Sequence, residues 1–168
     1  MTPRTVLVRV DESEGAGWIL RMACLAAGDG GRVVVLALTE VHPALPLLDL
    51  PAHYDEPALR AIHWAWQVVA ALWTEEEAIR IEIETRVRRT HSAARTILEE
   101  AERTSVDTIF LALKQPRLSW LPLRLGGTIR TVMRRSPCPV VVGRFPPVSL
   151  SPSDVLAEAQ RVLHRDAS

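Results

Sequence analysis

Residues 5–39 read TVLVRVDESEGAGWILRMACLAAGDGGRVVVLALT, two β-branched runs separated by one helical stretch, and that order decides the fold. Thr5 to Val10 (TVLVRV) ends in Asp11 and reads as a strand. Ser13 stands where a helix cap belongs, the helix covers about Glu14 to Ala27, and Gly28 closes it. Arg32 to Thr39 (RVVVLALT) is nearly continuously apolar, as a central parallel strand covered on both faces must be. Strand, helix and strand in that order predict a βαβ unit with a right-handed crossover.

The pattern repeats down the chain. Glu40 to Glu56 carries Pro43, Pro46 and Pro51 and reads as a loop. A long helix follows from about Pro57 to Ala78, Pro57 suiting its first turn. Leu59, Ile62, Trp66, Val69 and Trp73 recur in it at three- and four-residue steps, which predicts an apolar stripe against the sheet. Ile79 to Val87 (IRIEIETRV) alternates apolar with charged, predicting a strand with one wet face, near a sheet edge. Next come a helix from about Ser92 to Thr104 and a buried strand at Thr108 to Leu113 (TIFLAL). A loop with Pro116 and Pro122 then leads to Gly126, a helix from about Thr128 to Arg135 and a fifth strand at Cys138 to Val142 (CPVVV). After Pro146-Pro147 a short amphipathic helix is expected through Val155, Leu156, Ala159, Val162 and Leu163. The reading is an α/β domain over residues 1–147, a flavodoxin-like (Rossmann-like) doubly wound five-stranded parallel sheet, with an appended C-terminal helix in a tail over 148–168.

The chain's 168 residues suit one domain with its own core, and 20 Lys+Arg balance 20 Asp+Glu. That balance argues against nucleic acid or an anionic membrane as partner. Cys24 and Cys138 stand far apart, with no CxxC and no paired-histidine spacing, so neither a disulfide framework nor a zinc site is expected. The opening MTPRTVLVRVDES has no signal-peptide pattern, and the most apolar stretch, Ala61 to Trp73, is broken by His63 and Gln67; the expected location is the cytoplasm. No nucleophile elbow, Ser-His-Asp set or Walker sequence is present, and His53, His63 and His91 lack metal-ligand spacing. The neutral total hides an asymmetry. Between Asp107 and Asp154 there is no acidic residue, while Lys114, Arg117, Arg124, Arg130, Arg134, Arg135 and Arg144 give +7; the remainder holds 13 basic and 20 acidic residues. An anion site, if the domain has one, belongs in that window.

In a doubly wound sheet ligands sit beyond the carboxyl ends of the strands, where the strand order reverses. The residues there are Asp11 to Ser13, Thr39 to His42, Leu113 to Arg117 and Gly126 to Thr128. Two of these neighbourhoods carry a family resemblance. TVLVRVDESEGAGWIL, VDTIFL, LGGTI and SPCPVVV, in this order and spacing, resemble the universal stress protein family over most of residues 5–144. The resemblance implies a stress-related protein, a dimer formed through the last strand (Cys138 to Val142 here) and a nucleotide pocket with an aspartate, matched by Asp11, at its floor.

In nucleotide-binding members the fourth strand leads into a loop with two glycines and then a glycine followed by Ser or Thr. Glycines let the backbone approach phosphate, and the helix N-terminus offers free N–H groups. In this chain the two loop positions fall on Leu113 and Pro116, or on Ala112 and Gln115 in the alternative register. Pro116 has no N–H to give. Gly126 is retained, Gly127 stands where the hydroxyl residue belongs, Thr128 follows one place late, and Glu12 replaces the usual glycine after Asp11. The expectation is a regulatory or interaction module without strong ATP binding. The alternative is an ATP- or AMP-binding protein using Asp11, Gly126, Gly127 and Thr128, with Lys114 and Arg117 supplying the charge the glycine loop lacks. Each residue also has a plainer reading: Asp11 as a turn or cap, Gly126-Gly127-Thr128 as the entry to a helix, Lys114 and Arg117 as solvated charge. Trp120, Leu121, Leu123 and Leu125 read as a plug over the sheet end or as a lip for a partner.

Overall fold

The protein is described from a computed structural model, covering residues 4–75, 80–113 and 126–144. In chain order these form β1 (Thr5–Val10), α1 (Glu14–Ala27), β2 (Arg32–Glu40), a 3-10 turn (Ala52–Asp55), α2 (Glu56–Glu75), β3 (Glu82–Thr90), α3 (Ala93–Thr104), β4 (Thr108–Leu113), α4 (Gly127–Arg135) and β5 (Val140–Arg144). All four strand pairings are parallel, in the order β3-β2-β1-β4-β5. The build is the doubly wound, flavodoxin-like α/β sheet expected from the sequence, with the strand order of a Rossmann sheet.

The apolar runs at 5–10 and 32–39 are buried on both faces because successive side chains point to opposite sides. Val6, Val8, Val33 and Val35 pack with α1 and α2. Leu7, Val34, Leu36 and Ile109 pack on the other side with Ile97 of α3 and Val132 of α4. Gly143 in β5 lies under α1 so closely that a Cβ there would collide with Trp18 and Ile19. Burial pushes the Cys24 thiol up to about 12, and Cys24 and Cys138 are both free.

Three expectations need correction. The stripe of α2 facing the sheet is Ala58, Ala61, Ala65, Val69 and Leu72, not the one drawn from the largest residues. Leu59, Trp66 and Trp73 are 54%, 40% and 42% exposed, and only Val69 of the expected five is fully buried. Alanines let the helix backbone lie close to β2, and a Trp in their place would have no room. The edge strand runs from Glu82 to Thr90 rather than from Ile79 to Val87, because β2 continues to Glu40 and pairs it there with Thr90. β5 begins at Val140, two residues late, since Pro139 has no N–H and Ser136 Oγ ties up the Cys138 carbonyl and amide in a turn. The expected C-terminal helix and the Trp120 plug lie outside the described residues.

Candidate functional site

β1 pairs with β2 on one side and with β4 on the other, so the order of the strands reverses at β1. The carboxyl ends of β1 and β4 diverge there and leave a cleft lined by Arg9, Asp11, Leu111, Ala112, Thr128 and Ile129. It is narrow, about 20 Å³, room for one water.

Asp11 sits one residue past β1. Its Oδ1 accepts the Ser13 amide at 3.0 Å and the Ser13 hydroxyl, a local turn that carries the chain into α1. Ser13 is the N-cap of α1 by position, yet its side chain bonds Asp11 rather than a helix amide. Beside it, Glu12 meets Arg60 of α2 at 2.5 Å, and that hydrogen bond holds the Glu12 carboxyl below its ordinary range. The Glu12 carboxylate is thus paired from the turn before α1 to α2.

On the opposite wall, Gly126 caps α4 and Gly127 opens it. Neither has a positive φ, and a Cβ on either would meet nothing within 4 Å among the described residues. The turn therefore needs no glycine for its own geometry, and among the described residues nothing covers the first turn of the helix at either. Thr128 lines the cleft with Asp11. The structure brings Asp11 and Thr128 to one cleft with Gly126 and Gly127 beside it; Lys114 and Arg117 lie outside the described residues.

Arg9 was missed by sequence reasoning. It lies on the Leu7–Asp11 side of β1, its NH2 bonds Glu40 at 2.9 Å, and its Nε is buried with no hydrogen-bond partner among the described residues. The available signal was a charge interrupting a buried apolar strand two residues before Asp11. Thr39, at the end of β2, belongs elsewhere: its hydroxyl bonds Asp55, which also takes Arg89 in a forked pair. Arg89 and His91 hold the 41–51 loop through the carbonyls of Leu47 and Leu45. No group of three or more potential metal ligands occurs among the described residues.

This arrangement defines a doubly wound α/β domain with an aspartate turn facing a glycine-opened helix at the reversal point. The model of the universal stress protein family matches residues 2–144, and the chain belongs to that family. Its fold is shared with a universal stress protein from Archaeoglobus fulgidus, 19% identical with a TM-score of 0.61, over 84% of this chain and 98% of that one. The structure of the A. fulgidus protein in complex with dAMP is 20% identical at TM-score 0.59, covering 84% and 98% of the two chains. A universal stress protein solved in complex with cAMP is 18% identical at TM-score 0.59, over 86% of this chain and 98% of that one. No curated protein sequence matches this chain.

Proposed function

We propose that this chain is a stress-response regulatory or interaction module whose nucleotide pocket is degenerate, so that ATP and AMP do not bind it strongly. The observation that carries the reading is the β1 end. Asp11 is engaged by Ser13, and Glu12 adds a carboxylate, anchored by Arg60, where a polyphosphate would pass. The sequence after β4 supports it, since no register restores a loop glycine there and Pro116 lacks a donor. A cytoplasmic role fits two free thiols. No helix among the described residues is long and apolar enough to cross a membrane. The working form is a homodimer through the last strand, Cys138 to Val142, which lies at one edge of the sheet with Val141 40% exposed.

The absence of any described residue within 4 Å of a Cβ at Gly126 or Gly127, and two structural neighbours solved with dAMP and cAMP, favour a second reading in which an adenine nucleotide is held without hydrolysis. Equilibrium dialysis against ATP and AMP, with and without Mg²⁺, separates the two. No uptake at millimolar nucleotide is the expected outcome. Saturable binding in the micromolar range that disappears in Asp11→Ala establishes the second reading instead.

A further inference from the structure

The other edge of the sheet carries a pattern the function above does not use. β3 hydrogen-bonds only to β2 among the described residues. The Glu82 amide donates to the Gly31 carbonyl at 2.8 Å and the Thr90 carbonyl accepts from the Val41 amide at 2.8 Å. Even-numbered residues therefore turn their backbone groups toward β2, and Ile83, Thr85, Val87 and Arg89 present theirs at the free edge.

From 82 to 88 that edge reads Glu-Ile-Glu-Thr-Arg-Val-Arg, which is self-complementary about Thr85. In an antiparallel pair centred there, Thr85 meets Thr85, Ile83 meets Val87, Glu84 meets Arg86 and Glu82 meets Arg88. Outward-facing residues oppose outward-facing residues, as the ladder requires. Every neighbouring register of the same kind sets like charges against each other. A centre at 84 opposes Glu84 to itself, one at 86 opposes Arg86 to itself, one at 83 sets Glu82 against Glu84, and one at 87 sets Arg86 against Arg88. Edge charges commonly block association. Here they block the neighbouring registers and leave the one centred on Thr85.

The helix above the edge has the same centre. Leu59, Trp66 and Trp73 recur every seven residues on the exposed side of α2, and the Trp66 and Trp73 rings lie 6.4 Å apart. Leu59 shares an open hollow of about 560 Å³ with Leu47, Leu48 and the Val87–Arg89 end of β3, so this stripe leans toward the free edge. Seven helical residues rise ~10.5 Å, the length of about three strand residues. Counting back from Leu59 puts Trp66 level with Thr85 and Trp73 level with the start of β3. The two-fold axis that pairs Thr85 with its copy then faces Trp66 with Trp66 and sets Trp73 of each chain toward the other's Leu59 and hollow. Three strand spacings separate β2 from its copy, ~14 Å, wider than the ~8–10 Å of ordinary helix pairs, so large side chains are needed between the helices.

We infer that β3 and the Leu59–Trp66–Trp73 face of α2 form a two-fold interface with a second copy of this chain, joining two sheets into one. The occupant is argued from charge complementarity: the pattern fits its own reverse, and although Glu84, Arg86 and Arg88 already pair with Arg32 and Glu100 inside the chain, Glu82 and Arg88 keep 73% and 42% of their side chains exposed to meet the copy. This surface is separate from β5, and a chain using both edges would extend its sheet beyond a pair.

The test is site-specific cross-linking of the full chain in a Cys138→Ala background. Thr85→Cys brings two Cα atoms to ~5.5 Å, within disulfide range, whereas Ile83→Cys and Val87→Cys have no cysteine opposite. A covalent dimer on mild oxidation of Thr85→Cys, with little from the other two, is expected. No cross-link at Thr85, or equal cross-linking at all three, overturns the interface.

A second measurement needs no cysteine. Glu82→Arg and Arg88→Glu each place like charges at both 82–88 contacts, so each self-associates roughly tenfold more weakly in sedimentation equilibrium, with circular dichroism confirming that Arg88→Glu, which also turns a carboxylate toward Glu100, is folded. Mixed together, the two variants restore both pairs, and a one-to-one heteromer forms as tightly as the wild-type assembly. Unchanged self-association of the single variants, or no recovery on mixing, refutes the inference.

Discussion

Glu100 of α3 is 5% exposed and is met by three arginines, with Arg86 and Arg88 at 2.7 Å and Arg103 at 2.5 Å. Burial alone would raise its pKa, but the hydrogen bonds from Arg103, Arg88 and Arg86 outweigh it and hold the carboxyl below its ordinary 4.5. Asp55 is lowered as well, first by Arg89 and then by Thr39, against some burial. A carboxyl whose folded pKa is depressed stabilises the fold above its unfolded value and loses that contribution as pH falls through the folded one. Urea denaturation should therefore show stability level from neutral pH down to about 5 and falling below about 4.5. Glu100→Gln leaves three cations around an uncharged amide, costs about 3 kcal/mol at pH 7 and flattens the acid decline. An acid profile identical to the wild type would remove Glu100 from this role.

Among the elements, α2 separates what periodicity can reveal from what it cannot. The strands and α1 were legible because β-branched runs and caps act locally, and β1, β4 and α1 fall on the expected residues. The rotation of α2 was not legible. Its largest apolar residues lie on the side away from the sheet, while alanines face it, so weighting by size points to the wrong face. Ala65→Leu should destabilise the protein by about 1–3 kcal/mol through overpacking against β2. The same change at exposed Ala70 should stay within about 0.5 kcal/mol, and equal costs at the two positions would argue against the observed rotation. Asp11 and Thr128, both named from the strand ends and the family resemblance, line one cleft. Arg9 was not named, because only the sheet's order places it in the cleft. The pairing of Glu12 with Arg60 joins residues 48 positions apart, a contact no local pattern announces.

At the scale of the whole molecule, the fold brings the end of β1 and the start of α4 to one cleft, and the proposed function rests on the groups that line it. Two carboxylates follow β1, each already engaged, and the helix opposite opens on glycines that its own turn does not need. A ligand that binds only the folded state raises its stability, by about 2.7 kcal/mol at one hundred times Kd, and in a domain of this size each kcal/mol lifts Tm by about 2–4 °C. Thermal unfolding followed while ATP and Mg²⁺ are titrated to millimolar concentration thus reads the pocket directly. The proposed degenerate site predicts an unchanged Tm. A rise of several degrees that saturates with ATP, and is lost in Asp11→Ala, would contradict it.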